Sequence, residues 1–220
     1  MNVNNIYDSI KDLLEVNAIS EKYNRDVLAG TKYRVLGDIA IVYFINADNR
    51  DLGEVMKAIP VLNAISIKQI ENDALLNSMT RNPAVIKSMD SEIESIIGIS
   101  IPKDEATSEM YIASVPSKKF GACVLAYPGF FEQAAKTIGG SFFVLPFSVH
   151  EIILVDDKVA VSADYLSDKL QDMLLGDEAL NHDDYLTNVL YHYDAKANRL
   201  ETSWEYVRRV AKEKSKTSQW

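Results

Sequence analysis

The sequence has little cysteine and no long apolar run. Its single cysteine, Cys123, excludes an intrachain disulfide, and it lies in an apolar run over 122–126 where no basic neighbour would activate a thiolate. The longest apolar runs have the length of a strand, well short of the roughly 20 residues that a membrane-spanning helix requires. The first residues carry neither the basic nor the apolar part of a secretory signal. We therefore expect a cytoplasmic protein that does not cross a membrane.

The signatures of common catalytic and cofactor sites are also missing. No glycine-rich phosphate loop and no nucleophile elbow occurs. The three histidines, His150, His182 and His192, are far apart, so no pair has metal-ligand spacing on a helix. An acidic stretch over 177–184 does not match a calcium loop and is typical of a solvated surface. The prediction is a protein without metal or cofactor.

The charge balance argues against direct nucleic-acid binding. The net charge is −9, with 32 acidic and 23 basic residues, whereas phosphate backbones are bound by clustered Lys and Arg. One basic cluster, over 208–216, lies near the end of the sequence. On a terminal helix it is typical of a solvated face that complements the helix dipole.

Composition and pattern indicate a folded chain with one core. Hydrophobic residues make up 47% of the sequence and charged residues 25%, which is an ordinary globular balance. No repeat, low-complexity tract or strong linker divides the chain. We expect one domain over 1–220 with a frayed tail from about 215.

The spacing of apolar and capping residues predicts the order of helices and strands. In the first half we expect a helix over about 4–16, a central strand over 34–46, a helix capped by Ser66 that ends at Asn82, and a helix over 84–97. A loop follows over 98–109.

The second half alternates strands with helices. We expect strands over 110–115 and 121–127, a helix from Pro128 to Gly139, a strand pair over 142–145 and 151–155, a helix from Ser162 to about 175, a hairpin of 189–193 with 199–203, and a last helix over 204–214. This order predicts an α+β fold with a mixed or largely antiparallel sheet and helices packed on it.

The best candidate for catalysis is the group Ser148, His150 and Glu151. In a strand, Ser148 and His150 would point to one face, where they could form a nucleophile–base pair with Glu151 or a distant acid orienting the histidine. The alternative is structural, because serine and histidine in a loop often satisfy backbone groups.

Four aromatic residues near the C-terminal hairpin are the candidate contact surface for a partner. They are Tyr191, Tyr193, Trp204 and Tyr206. Tyrosine and tryptophan anchor many interfaces, although they also serve as half-buried packing with a polar tip.

The segment over 143–154, which reads Phe-Val-Leu-Pro-Phe-Ser-Val-His-Glu-Ile-Ile-Leu, resembles the signature of a domain-of-unknown-function family of gut clostridia of the Lachnospiraceae type. That signature has a Leu-Pro-Ser-Ser-Val-His-Glu-like motif, and Phe147 stands in place of its first serine. The strands over 39–43 and 121–127, the helices over 65–89 and the segment over 190–194 are similar in order. The resemblance implies a bacterial, cytoplasmic protein with a coherent fold and supplies no activity.

These observations favour a non-enzymatic binding or adaptor protein with an unknown protein partner. A phage or a mobile element is one origin consistent with it. One alternative is an inhibitor that presents an acidic surface to a host nucleic-acid enzyme, and another is a hydrolase that uses Ser148 and His150. A third is a small-molecule sensor with a pocket between sheet and helices. A homo-oligomer stays open.

Overall fold

The structure is a computed structural model that describes residues 3–46, 61–98, 100, 110–158, 162–175 and 184–217. The strands are β1 (Leu14–Ser20), β2 (Tyr33–Leu36), β3 (Ile39–Ile45), β4 (Val85–Ser88), β5 (Met110–Ser114), β6 (Phe142–Leu145), β7 (Ile152–Asp156), β8 (Tyr191–Asp194) and β9 (Arg199–Thr202). The helices are α1 (Val3–Ile10), α2 (Arg25–Leu28), α3 (Ile67–Arg81), α4 (Met89–Ile97), α5 (Phe130–Ile138), α6 (Ala163–Leu175) and α7 (Ser203–Thr217). Two 3-10 helices cover Lys11–Leu13 and Gly121–Ala126.

The strands form two antiparallel sheets. The first sheet has three strands in the order β1-β3-β2, and the second has six in the order β4-β5-β7-β6-β8-β9. Every neighbouring pair is antiparallel. The predicted α+β fold with a largely antiparallel sheet is therefore confirmed.

The predicted first helix ends too late, because its last three residues belong to strand β1. The helix α1 ends at Ile10, and β1 begins at Leu14 after one 3-10 turn. In β1, Val16 lies opposite Tyr43 of β3. Leu14, Val16 and Ala18 are buried, and the polar residues between them give the two-residue alternation of a strand.

The predicted strand over 34–46 is in fact a hairpin of β2 and β3. Leu36 pairs with Ile39, so Gly37 and Asp38 form a two-residue turn. Gly37 has φ +65°, a conformation that glycine adopts without steric cost. The strand β3 is central in its sheet, as predicted.

Two further predictions were wrong in element type. The predicted helix over 84–97 begins only at Met89, because the residues before it form the edge strand β4, and Ser88 caps the helix by accepting a hydrogen bond from the Ser91 amide at 3.3 Å. The predicted strand over 121–127 is a 3-10 helix whose residues are all buried. Because this segment is buried on all sides, its sequence is a continuous apolar run without a helical or strand period. Periodicity therefore could not distinguish a helix from a strand here.

Most of the other described elements follow the predictions, although the short helix α2 was not predicted. Ser66 caps α3 through the Gln69 amide at 3.2 Å, and Ser162 caps α6 through the Tyr165 amide at 3.1 Å. The pairs β6–β7 and β8–β9 are the predicted ones. The helix α7 continues to Thr217, past its predicted end near 214. Most of the predicted loop over 98–109 lies outside the described residues.

The core has two parts, one on each face of the six-stranded sheet. The larger part takes residues from both sheets, from α5 and from the 3-10 helix over 121–126. Along β6, Phe142 and Val144 point into this part, whereas Phe143 and Leu145 point into the smaller part against α6. Coverage on both faces is why β6 and β7 read as continuous apolar runs. One domain over 1–220 stays a prediction.

Candidate functional site

The candidate catalytic residues lie in the loop between β6 and β7, which is tied to two other segments. The amides of Leu186 and Thr187 donate to the carbonyls of the loop's first residues, each at 3.3 Å, and the Val149 amide donates to the Asp184 carbonyl at 2.9 Å. On the other side, the Ala122 amide donates to the Val149 carbonyl at 3.1 Å. The loop therefore joins the segments over 184–187 and 121–126 by backbone hydrogen bonds.

Both ring nitrogens of His150 already have partners. Nδ1 accepts a hydrogen bond from the Phe120 amide at 3.1 Å, so it carries no proton. Nε2 lies 3.1 Å from Asp184 Oδ1 and must donate to it, which assigns the neutral Nε2–H tautomer from the hydrogen-bond pattern. The ring thus has no nitrogen left to act as a base toward Ser148.

Ser148 and Glu151 also have local roles. Ser148 is 3% exposed, and its hydroxyl accepts the backbone N–H of His150 at 3.0 Å. Glu151 lines a small cleft together with Glu92 and Lys118. The structure thus brings the three candidates together in one loop as sequence neighbours. The Ser148 hydroxyl binds the His150 backbone within that loop, while the His150 ring and Glu151 face other segments.

A strained segment packs on this loop. Lys118 and Phe120 both have φ +55°, which is unfavourable for residues other than glycine. At Gly121 a Cβ atom would lie 2.0 Å from Ser114 Oγ and 2.4 Å from the His150 carbonyl oxygen. The hydrogen bond from the Phe120 amide to the His150 ring stabilises the positive-φ backbone of this segment. The histidine therefore has a structural role.

An ion cluster holds the same strained segment from its other side. Glu92 of α4 is 6% exposed and forms ion pairs with Lys118 and with Lys87, the latter at 3.3 Å. The hydrogen bond from Lys118 holds the pKa of Glu92 below its usual value. The sequence does not single out this cluster, because Lys118 is 26 positions from Glu92 along the chain.

Cys123 is buried, as expected from its apolar run. It is 4% exposed, and burial raises the pKa of its thiol to about 11. A thiol that stays protonated at neutral pH is a poor nucleophile.

The four aromatic residues of the candidate contact surface divide into two classes. Tyr191 and Tyr193 are core residues, 4% and 2% exposed. The Tyr191 hydroxyl donates to Asp38, and the Tyr193 ring stacks on Phe131 with ring centroids 5.3 Å apart. In this structure these two tyrosines are not surface groups.

Trp204 and Tyr206 lie on opposite sides of α7. The Tyr206 ring stacks on His192 at 3.9 Å and contacts Phe143 edge-on at 5.4 Å. Trp204 is 66% exposed, and the guanidinium of Arg208 lies 5.1 Å from its ring centroid. Val207, 46% exposed, and the exposed Ala211 fall on the same side at helical spacing.

The inner side of α7 is fixed by ion pairs of the half-buried Arg209 with the six-stranded sheet. Arg209 binds Glu201 of β9 at 2.5 Å and Asp194 of β8 at 3.2 Å, and the bond to Glu201 raises the pKa of Arg209. His192 is 2% exposed, with Nε2 3.1 Å from Asp157 and Nδ1 3.6 Å from Glu201. The helix is therefore seated rigidly, and its outer side is presented in a defined orientation.

The described residues contain neither a cluster of metal ligands nor a membrane-spanning helix. Over the ranges given above, no group of three or more His, Cys, Asp or Glu side chains could hold a metal ion. The acidic stretch considered from the sequence lies outside those ranges except for Asp184, which binds His150. Among the helices of the described residues, none is both long and apolar enough to cross a bilayer.

The fold and the site together define an α+β protein in which the loop between β6 and β7 links two other segments by hydrogen bonds. Residues 1–195 match a protein family described as a family of unknown function (DUF5688). The chain belongs to this family, which confirms the resemblance to a family without an assigned activity. No curated protein and no solved structure matches the chain. The matched residues include the Ser148–His150 loop, whereas α7 follows them in the sequence.

Proposed function

We propose that the chain is a non-enzymatic binding protein that docks the outer side of α7 on an acidic surface of a protein partner. The observation that carries the proposal is the exposure of Trp204 on a rigidly seated helix. Tryptophan and arginine are enriched among the residues that dominate interface energies. Here an exposed tryptophan stacks with Arg208 and is flanked by Val207, which supplies an apolar centre with a cation at its edge.

The charge of α7 supports an acidic partner. The helix has five basic and two acidic residues, although the whole chain has net charge −9. Both acidic side chains are engaged locally, because Glu205 accepts from the Thr202 amide at 2.8 Å and Glu213 pairs with Arg209 at 3.4 Å. The outer side of the helix is therefore positive, and complementary charge favours association with an acidic surface.

The same features favour a protein over a nucleic acid. Val207 and Ala211, the two apolar side chains beside Trp204, would be buried in a pocket of a protein partner but would gain little from contact with a phosphate backbone. The acidic chain as a whole would repel a polyanion along any extended contact. The hydrogen bonds of His150 support a non-enzymatic role, since its two ring nitrogens serve Phe120 and Asp184.

Site-specific photo-crosslinking tests the proposal in the cells of origin. The variant Trp204→p-benzoylphenylalanine places the reactive group on the proposed surface. The matched control is Tyr165→p-benzoylphenylalanine, since Tyr165 is a 50% exposed aromatic residue on α6 that also has a cation, Lys169, one helical turn later. We expect a defined crosslinked protein from position 204 and not from position 165.

The crosslinked protein is then purified and its affinity measured. We expect Trp204→Ala to weaken binding by about 2 kcal/mol or more, as an interface anchor does. Arg208→Glu should also weaken it, and added salt should weaken binding to the unmodified chain. Equal crosslinking from both positions, a crosslinked nucleic acid, a crosslink to a second copy of the chain, or full affinity in Trp204→Ala would each refute the proposal.

A further inference from the structure

A cleft between the three-stranded sheet and α3 has no role in the function proposed above. It has a volume of about 320 Å³ and is lined in part by the last residues of β3. Its walls are mainly apolar and aromatic. They include Tyr43, Phe44, Ile45, Leu62 and Ile70. A mainly apolar cleft of a few hundred Å³ with few polar groups is the usual form of a small-molecule site.

The cleft has a positive charge fixed at its wall. Lys32 lines it, and the Lys32 ammonium donates to the Asn63 carbonyl at 3.0 Å and to the Ile65 carbonyl. These two bonds hold the charge in place between the β2 side of the cleft and the residues that precede α3. An ammonium has three N–H donors, so one remains for a further acceptor.

No carboxylate of the described residues neutralises this charge. The nearby acid Glu71 is already paired with Arg34 at 2.9 Å. Lys32 forms its hydrogen bonds with carbonyl oxygens alone, which are neutral. A carboxylate from outside the chain would complete the donor set with a charge-assisted hydrogen bond.

We infer that this cleft binds a small carboxylic acid with an apolar body. The carboxylate accepts from Lys32, and the body packs against Tyr43, Leu62 and Ile70. The volume suits a single aromatic ring or a short aliphatic chain. The inference goes beyond the proposed contact on α7 and uses none of its residues.

The test is a titration of the whole chain with phenylacetate and with hexanoate, followed by amide chemical shifts and calorimetry. Phenylacetamide is the neutral counterpart of phenylacetate. We expect saturable binding of at least one acid, with shifts concentrated at residues 30–32, 43–45, 62–63 and 70. We also expect binding of phenylacetamide to be at least tenfold weaker than that of phenylacetate.

Two variants locate the binding. Lys32→Met should weaken acid binding at least tenfold and remove the preference for phenylacetate over phenylacetamide. Leu62→Trp, which fills the cleft from a half-buried position, should abolish binding. The matched control is Lys68→Met, which removes the same charge from an exposed position of α3 outside the cleft and should leave binding unchanged.

Three results would overturn the inference. They are the absence of saturable binding of both acids, equal affinity for phenylacetate and phenylacetamide, and unchanged affinity in folded Lys32→Met. None of these results depends on Trp204. The crosslinking experiment at position 204 and the titration of the cleft therefore test two independent proposals.

Discussion

The substitution Tyr191→Phe tests how the two sheets are joined. The Tyr191 hydroxyl, on β8, donates to Asp38 Oδ1 at 2.5 Å and accepts from the Asp38 amide at 3.1 Å. Thr187 donates to the other carboxylate oxygen of Asp38 at 2.5 Å. Since Asp38 lies in the turn between β2 and β3, this group of bonds connects the three-stranded sheet to the six-stranded one.

The expected loss of stability follows from the Asp38 carboxylate and amide, which lose the Tyr191 hydroxyl as their hydrogen-bond partner. A hydrogen bond to a charged group contributes about 1.5–3 kcal/mol, and an unsatisfied buried donor costs about 1–3 kcal/mol. The atoms left without Tyr191 belong to Asp38, which is half-buried and lines a cleft, so water replaces part of the lost interaction. We expect Tyr191→Phe to lower the free energy of unfolding by about 1.5–3 kcal/mol, a large part of the 5–15 kcal/mol typical of a domain.

Urea unfolding followed by circular dichroism measures this loss. The control is Tyr165→Phe, which removes the same hydroxyl from an exposed ring and should change stability by less than about 0.5 kcal/mol. A loss below about 1 kcal/mol for Tyr191→Phe would refute the assigned role of the bonds. If 1–220 is one domain, the variant should still unfold in one transition, and two separate transitions would contradict that prediction.

Two further predictions concern the strained segment beside His150. Glu92→Gln should lower stability by about 1 kcal/mol at pH 7, a discounted value because the paired lysines are half-exposed. Lys118 lowers the folded-state pKa of Glu92, so this stabilisation is present above the unfolded pKa near 4.3 and is lost as the pH falls through the folded-state pKa. The stabilities of the unmodified chain and of Glu92→Gln should therefore converge in acid. A constant stability difference from pH 7 to pH 2 would contradict this prediction. Gly121→Ala should cost about 1–3 kcal/mol or more in urea unfolding, since its Cβ would overlap a hydroxyl and a carbonyl oxygen. Gly140→Ala, whose Cβ would meet only the flexible end of Lys158 at 3.2 Å, is the control, and an equal cost at both glycines would refute the steric argument.

Local signals in the sequence predicted most of the helices and hairpins. The caps at Ser66 and Ser162 marked two helix starts, and the turn over 194–198 marked the β8–β9 hairpin. Where two local patterns overlapped, the prediction failed. Leu13 and Leu14 extend the helical spacing of α1, yet Leu14 also begins the alternation of β1. Pairing with β3 decides between the two patterns, and that pairing joins residues 19 to 31 positions apart.

The candidate site was harder to predict, because its chemistry depends on long-range partners. The spacing of Ser148 and His150 is equally consistent with a catalytic pair and with a structural loop. The difference lies in the partners of the ring, Phe120 and Asp184, which are 30 and 34 positions away. Similarly, the tyrosines at 191 and 193 have the composition of a contact surface, and only the packing of β8 beside β6 places them in the core.

The distribution of polar groups separates the parts of the chain that hold the fold from those open to a partner. Around His150, the described hydrogen bonds link three segments. The two ring nitrogens of His150 and the Ser148 hydroxyl all take part in these bonds. At Trp204 the reverse holds, since a large apolar ring stays mostly in water although the inner side of the same helix is tied down by Arg209. Exposing such a ring forgoes roughly 2 kcal/mol of burial free energy, which contact with a partner would recover. Under the proposed function, docking of the outer side of α7 would add stability that folding leaves unused.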